Sequence, residues 1–459
     1  MASTKLTKSQ SGTSTNEYKG TYSWWMKRSN VSSTQYLISI ESGQERFFWY
    51  ILSSGAFSGN YRASGGSPDV DLALTGSPKF IDPNAWYHCV LAWDTSQGTQ
   101  LNRIRFYVNN VEYVVTQSQT INQNTVFPPN KSSFGGALEL FASGSQNYFD
   151  GIISHFYYVD GQQLTPSTFG ETDSTTGEWK IKTNPTVTIG TQGYIILKDG
   201  NTITAQSANS NNFTLASGTL TKTEDNPSNV FATMNPFSCS SYGSLTNGNT
   251  SVAGNNNADV AQFFSTLSTG KTGKYYIETK VTGYTGTRPG FGIGNDDNPN
   301  IGKNVSGGTQ MTGENNFTSP SFNYRLDGAI RVNGSTTATY STFTIGDIIS
   351  IAVDMDNGAS YVAKNGTWQN SGNPASGASK TGAITTWTAG SISGFLINAD
   401  IYYGASGDGN HADADFNFGN GYFGTTAVSS AGTNASGNGI FEYDVPTGYT
   451  ALSTKGLNL

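Results

Sequence analysis

Paired carboxylates, histidines and loop clusters of oxygen donors are the residues of this chain that could do chemistry. Glycoside hydrolysis needs two carboxylates placed across the scissile bond, and two short alternations supply pairs, Asp69-Val-Asp71 and Glu442-Tyr-Asp444. Asp69-Val-Asp71 has no flanking Glu, and both pairs read as turn or rim carboxylates, so no catalytic residue is assigned. His88, His155 and His411 are the histidines. The first two lie inside alternating apolar runs and are expected to be packed or hydrogen-bonded. No Ser elbow, Cys–His pair or His-x-x-His spacing points to nucleophilic or zinc chemistry. Oxygen donors gather at Asn295-Asp-Asp-Asn298 and between Asp408 and Asp415, the ligand type calcium takes. Asp354-Met-Asp-Asn-Gly358 starts like a calcium loop but reads better as a hairpin turn. No cofactor or metal site is expected, with calcium the one ion those loops could attract. Rings on loops can stack on sugars. Tyr284, Arg288, Tyr324, Trp368, Tyr402 and Tyr403 are the expected ligand-binding residues, with Trp49 and Tyr61 in the first half.

The elements that must position these residues are strands. The chain has 459 residues, too many for one ordinary core. Charged residues make up 12% and aromatics 12%, with 55 glycines, and short runs of Tyr, Phe, Trp, Val, Ile and Thr alternate with Gly, Asn, Asp and Ser. That pattern is all-β. Thr21–Met26, Gln35–Ile40, Arg46–Leu52, Trp86–Trp93, Arg103–Val108, Glu112–Val115, Ala137–Phe141 and Gly151–Val159 read as strands of the first half. Asn109-Asn110 signals a hairpin, and Thr165-Pro166 the start of one helical turn. Gly193–Lys198 reads as a strand completing the first sandwich, and Ala208–Asn229 as a connection. The second half reads as strands at Lys274–Lys280, Gly290–Gly294, Ile348–Val353, Ser360–Lys364 and Asp415–Gly419, with Tyr443–Tyr449 closing it. The expected layout is an N-terminal segment 1–20, a sandwich 21–200, a linker 201–234 and a second sandwich 235–459.

The formal charge is −7 with no basic block, which excludes nucleic-acid binding by phosphate neutralisation. No apolar stretch reaches the ~20 residues a membrane helix needs, so no membrane insertion is expected. Residues 1–20 are polar, without the apolar core of a signal peptide. Gly290–Gly294 lacks the Lys and helix start of a phosphate loop. Cys89 and Cys239 are expected to be reduced, because two cysteines make no disulfide framework.

Trp86-Tyr-His88, Val90-Leu-Ala92, Arg103–Asn109, Phe149-Asp-Gly151 and the tract Val159–Pro166, followed by Phe169–Trp179, resemble the laminin-G/concanavalin A-like lectin superfamily, over about Thr21–Lys182. The closest form is that of marine, cyanophage-like bacteriophage structural proteins. Gly273-Lys-Tyr-Tyr276 with Glu278, Gly292-Ile-Gly294, Gly346-Asp-Ile348, Asp356-Asn-Gly358, Lys364-Asn-Gly366 and Phe416-Asn-Phe-Gly419 resemble a SPRY domain. Hydrolases of the first superfamily often carry Glu-x-Asp-x-Glu on one strand face, and no such run occurs here. The resemblance implies two jelly-roll-type antiparallel sandwiches in tandem and a non-enzymatic virion structural protein, made in the host cytoplasm and released by lysis. It would stand on the particle surface as a short tail appendage, fibre or knob, as a homo-oligomer among other virion proteins, contacting host-surface glycans or proteins. A capsid decoration without a receptor role and a polysaccharide depolymerase are the alternatives.

Overall fold

The computed structural model describes all residues except 1–2, 11, 77, 133, 199, 201, 208, 239–242, 255–260, 299–300, 302–319, 403–410 and 459. The protein is all-β and divides into two compact units, Met1–Lys222 and Thr223–Leu459.

The first unit contains β1 (Lys5–Ser9), β2 (Lys19–Arg28), β3 (Gln35–Ser42), β4 (Glu45–Ile51), β5 (Phe57–Arg62), β6 (Asp69–Leu74), β7 (Trp86–Asp94) and β8 (Ile104–Val108). There follow β9 (Val111–Tyr113), β10 (Val115–Gln117), β11 (Ala137–Leu140), β12 (Gly151–Asp160), β13 (Gly170–Thr172), β14 (Trp179–Ile181), β15 (Tyr194–Ile196) and β16 (Thr214–Ser217). Eight strands form one sheet in the order β10-β6-β5-β4-β3-β11-β1-β16, and six form another, β15-β12-β2-β7-β8-β9. Both are antiparallel. Period-2 alternation sends Phe47, Trp49, Ile51, Val70 and Leu72 from the first sheet, and Tyr22, Trp24, Leu91, Trp93 and Phe106 from the second, into one core. Trp49 fits only because β5 has Gly59 beside it: a Cβ there would come within 2.9 Å of the indole. Asn109 and Asn110 take φ 46° and 68° at the β8–β9 hairpin, the positive-φ pair such a two-residue turn requires.

The six-stranded sheet is covered on both faces. Val90, Ala92, Tyr107, Tyr157 and Val159 on its far side pack with Phe169, which leads into the β13–β14 hairpin. The eight-stranded sheet keeps an outward face whose side chains reach solvent: Tyr36, Arg46, Tyr50, Arg62 and Asp69 are half-buried and Asp71 is exposed.

The expected helical turn is a short 3-10 segment, Pro166–Thr168, entered at Thr165, whose side chain makes no capping bond. The structure departs from the expected boundaries at both ends of this domain. Residues 5–9, expected in a separate segment, form β1 within the eight-stranded sheet, and β16, inside the expected connection, pairs with β1 at Leu6↔Leu215 and Thr7↔Thr214. Leu6 is fully buried among the core side chains. The polar Asn/Ser/Thr composition of 208–229 hid an edge strand that needs few apolar residues.

In the second unit an antiparallel ladder runs through Ser335–Thr339, Ala329–Val332, Phe322–Arg325, Gly290–Asn295, Phe395–Tyr402, His411–Asn417, Lys274–Thr285, Ile348–Asp354, Ala359–Lys364 and Thr367–Trp368. Phe291, Ile293 and Tyr324 near one end share a core with Ile349, Ile351 and Val362 near the other, so the ladder folds back on itself. Asp354–Gly358 closes a hairpin: the Gly358 amide donates to the Asp354 carbonyl at 2.8 Å, and Asp354 pairs with Lys274 at 3.0 Å. Tyr443–Tyr449, expected as a closing strand, carry no strand pairing, and neither do residues 441–442 before them. They cross the outer side of Lys274–Thr285, where Phe441, Val445 and Tyr449 pack with Tyr276 and Tyr361. The Glu278 carboxylate holds them by accepting the Glu442 and Tyr443 amides, both at 2.8 Å.

Candidate functional site

The outward face of the eight-stranded sheet carries a continuous row of side chains across β3, β4, β5 and β6. At one end Tyr36 stacks on Tyr50 with ring centroids 4.8 Å apart and 23° between planes, and its edge meets Phe48 at 5.6 Å. Tyr36 and Tyr50 face each other across the β3–β4 register. A bulge at Leu37 turns Leu37 and Ile38 both inward and keeps Tyr36 outward. The Arg46 guanidinium lies 5.8 Å over the Phe48 ring. Arg46 then grips the Asp69 carboxylate with bonds of 3.0 and 3.1 Å and donates to the Asn60 Oδ1. The Asn60 amide nitrogen donates to both carboxylates, 3.0 Å to Asp69 and 2.8 Å to Asp71. Apolar rings therefore sit beside a planar polar network, the combination that sugar rings with hydroxyl-bearing edges require.

The electrostatics of the row hold Asp69 as a carboxylate. Burial pushes the Asp69 carboxyl up, but the Asn60 hydrogen bond and the Arg46 and Arg62 charges outweigh it and leave the acid lowered. A glycosidase needs one carboxylic acid kept protonated near neutrality, and Asp69 is held in the opposite state. Asp69 and Asp71 were expected on a turn or rim. They stand instead on a strand face, because β6 continues the alternation that puts Val70 and Leu72 in the core.

The aromatic residues expected to bind ligand from this half do not reach the row. Trp49 and Tyr61 point into the core with 0% and 4% exposure, whereas their neighbours Phe48, Tyr50, Asn60 and Arg62 face outward. A shift of one residue along a strand exchanges the two faces.

The residues expected in the second domain, where they are described, have different surroundings. Tyr324 is a fully buried core side chain whose hydroxyl donates to the Ser341 carbonyl at 2.5 Å, so it cannot meet a ligand. Trp368 packs its edge toward Tyr276 and Tyr361, with centroids 6.5 and 6.4 Å away, and supports the crossing segment 441–449. Tyr284 is half-buried with its hydroxyl 3.2 Å from that of Thr344, and Arg288 is exposed beyond the end of the same strand. Tyr403, the Tyr402 side chain and Asp408 lie outside the described residues. Asn295 and Asp296 are engaged with serines: the Asn295 backbone amide donates to the Ser321 hydroxyl at 3.0 Å, and the Asp296 carboxylate accepts from Ser268 and Ser393. Asp413 and Asp415 accept from the Gly254 amide and the Ser251 hydroxyl. Among the described residues no three His, Cys, Asp or Glu side chains gather as a metal site would require.

Ser23 and His88 form a pair that spacing could not reveal, with Oγ 2.9 Å from Nε2. It is not a nucleophile and base. The Trp179 indole donates to His88 Nδ1 at 3.0 Å, which fixes the proton on Nε2, so the imidazole donates to Ser23 instead of taking its proton. Burial against Trp25 and Trp179 pushes His88 down to about 3. His155 sits at a β-bulge in β12 with φ 51°, and Cys89 is a free, buried thiol.

The fold thus defines a two-domain all-β protein whose first domain carries aromatic rings beside a polar network on the outward face of its eight-stranded sheet. A family model for the concanavalin A-like lectin/glucanases superfamily (Laminin_G_3) matches residues 3–167, which contain the whole row. No curated protein matches the chain. Among solved structures it is similar to the SPRY domain of human HERC1, at 16% identity over 40% of this chain and 96% of that one, with a TM-score of 0.29. It is also similar to a heptameric SAP-like pentraxin from Limulus polyphemus, at 17% identity over 35% of this chain and 71% of that one, with a TM-score of 0.24. The CBM40 of Ruminococcus gnavus IT-sialidase is 15% identical over 33% of this chain and 80% of that one, with a TM-score of 0.25.

Proposed function

We propose that the first domain is a non-catalytic glycan binder whose ligand lies along Tyr36, Tyr50, Phe48, Arg46, Asn60 and Asp69. The observation that carries this reading is the stacked aromatic end abutting an ionised Arg–Asn–Asp network on the outward face of the eight-stranded sheet. The rings take the C–H faces of a sugar, and the amide and guanidinium edges, with the two carboxylates as acceptors, take its hydroxyls. The experiment is binding of the intact chain to a panel of surface polysaccharides, with release of new reducing ends measured on the same samples. Binding without release is expected; release would make the protein a depolymerase.

Within that reading the chain serves as a surface-exposed virion structural protein of a bacteriophage, a short tail appendage, fibre or knob that meets host-surface glycans. The order of a lectin-like segment followed by a SPRY-like one, noted in the sequence, is what supports it. Mass spectrometry of purified particles tests the placement, and absence from them would end it. A particle-bound chain that binds no host glycan would be a decoration instead.

A further inference from the structure

The row that carries the proposed site runs diagonally over the outward face, from Tyr36 on β3 to Asp69 on β6. Adjacent strands lie ~4.8 Å apart, so the three spacings from β3 to β6 span roughly 14 Å. The two ends of the row differ. Past β6 the face continues onto β10, where Thr116 stands opposite Ala73, and both are small and exposed. The row is open in that direction. Tyr50, stacked on Tyr36 by one face, turns its other face toward β5, where its register partner is Ser58 and Ala73 comes next. A sugar on that face of Tyr50 therefore has small side chains beneath it and a free path toward β10.

At the Tyr36 end the chain after β11 doubles back in a tight turn. Ser143 and Gln146 exchange both backbone hydrogen bonds at 3.1 Å, and Gly144 takes φ 58°. Side chains on the ligand side of the sheet hold this turn. Leu6, Leu138 and Leu140 point into the core, so Lys5 and Glu139, one residue away on the same strands, point outward. The Glu139 carboxylate accepts the Gly144 amide at 2.8 Å. The Lys5 ammonium donates to the Gly144 carbonyl at 2.7 Å and pairs with Glu139 at 2.9 Å. Ser39, outward on β3 but only 3% exposed, has its hydroxyl 3.5 Å from that of Ser143. The Asn147 carbonyl accepts the Tyr36 amide at 2.9 Å, so the returning arm of the turn lies directly beside Tyr36. An ion pair drawn from β1 and β11 thus clasps the turn over the outward face, next to the first ring of the row.

The geometry points to a site closed at Tyr36 and open past β6, one that takes the end of a glycan chain and not a stretch within it. A stretch within a chain must leave the site in two directions, and the turn at 143–146 stands where one of them leads. A chain end needs only the open side. The inference rests on the aromatic row being the glycan site, and it makes the clasped turn the element that sets which part of a chain is bound.

The test counts protein molecules per glycan chain. A linear polysaccharide retained in the binding panel is cut and separated into short and long fractions, and each is titrated calorimetrically with the intact protein. One protein per chain is expected at both lengths, with the same affinity per mole of chain. A stoichiometry that grows with chain length would overturn the inference and leave the proposed function standing. Lys5→Met/Glu139→Leu removes both halves of the clasp without leaving an unpaired charge, and thermal unfolding confirms that it is folded. On the long fraction this variant is expected to load more than one protein per chain, with its affinity for the short fraction kept within a few-fold. One protein per long chain in the folded variant would show that the turn is not what closes the site, against the inference. Tyr36→Ala/Tyr50→Ala separates the inference from the reading beneath it. Undiminished binding of the short fraction by that folded variant would remove the aromatic row as the site, and the proposed function with it, whatever the stoichiometry.

Discussion

The polar row at Asp69 and the polar cluster at Asp400 are built from the same material in opposite surroundings. Both lie on the face of a strand turned away from its core, and both centre on an aspartate held by amides. Asp400 accepts from Gln262 at 2.9 Å, Asn398 at 3.0 Å and Asn323 at 2.5 Å. Gly290 stands opposite it in the register, and a Cβ there would come within 2.3 Å of the Asn323 Oδ1. Asp69 has guanidinium partners at close range and reaches solvent; Asp400 is fully buried among neutral amides. Desolvation dominates there, and the Gln262 bond and the Arg325 charge do not offset it, so Asp400 is pushed up to about 8. Counter-charge and exposure, more than the identity of the acid, separate a surface that can meet a ligand from a cluster that fixes a fold.

That contrast sets the order of expected effects. Asp400→Ala strips the acceptor from three buried amides, each costing about 1–3 kcal/mol when left unpaired. The second domain should lose about 3 kcal/mol or more in urea, whereas Asp71→Ala on the exposed face should cost the first domain under about 1 kcal/mol. Trp368 and Trp387 are the tryptophans of the second domain, so single Trp→Phe replacements let fluorescence assign each transition. Equal costs at the two sites would break the comparison.

The pH dependence should split the domains. Asp400 at about 8 and Glu278 at about 7 are both raised above ordinary carboxyl values, so the folded second domain holds protons that the unfolded chain releases. Its stability is fullest near pH 4 and is lost as pH rises to about 8. His88, pushed down to about 3, works the other way: the first domain is fully stable above pH 6.5 and loses about 1.4 kcal/mol per unit as pH falls below it. Differential scanning calorimetry at pH 5 and pH 8.5 should move the two transitions in opposite directions, and Asp400→Asn should flatten the slope of the second. Transitions that move together would contradict the assignment of the two buried groups.

Much of the fold could be read from the sequence, because alternation of large apolar residues forces a strand and names its inner face. Arg103–Val108 shows this: Ile104, Phe106 and Val108 are in the core and Tyr107 is on the far side, as their spacing predicts. β1, β5, β6 and β16 were missed, since Lys5–Ser9, Phe57–Arg62, Asp69–Leu74 and Thr214–Ser217 carry small or polar residues where one face meets water. The site was less legible for a related reason. An aromatic-rich run such as Phe47-Phe-Trp-Tyr50 does not declare which of its rings face inward, and Phe47 and the large Trp49 are the ones the core takes. The polar network could have been anticipated from Asn60, Asp69 and Asp71 once Val70 and Leu72 were set inward. Its partner Arg46 lies two strands away, and only the register Arg46↔Arg62↔Asp69 brings it there.

Asp69→Asn is expected to give the smallest effect, a loss of affinity of a few-fold with the first domain still folded, because Arg46 and Asn60 remain to order the row. The central claim is that Tyr36 and Tyr50 form the platform of a sugar site, and it is tested most directly by titrating one bound polysaccharide fragment into the intact chain and into Tyr36→Ala/Tyr50→Ala. Affinity should fall at least tenfold while the thermal unfolding of both domains stays within a few degrees of the unaltered protein. Undiminished binding by the folded double variant would show that the outward face of the eight-stranded sheet is not where the ligand sits.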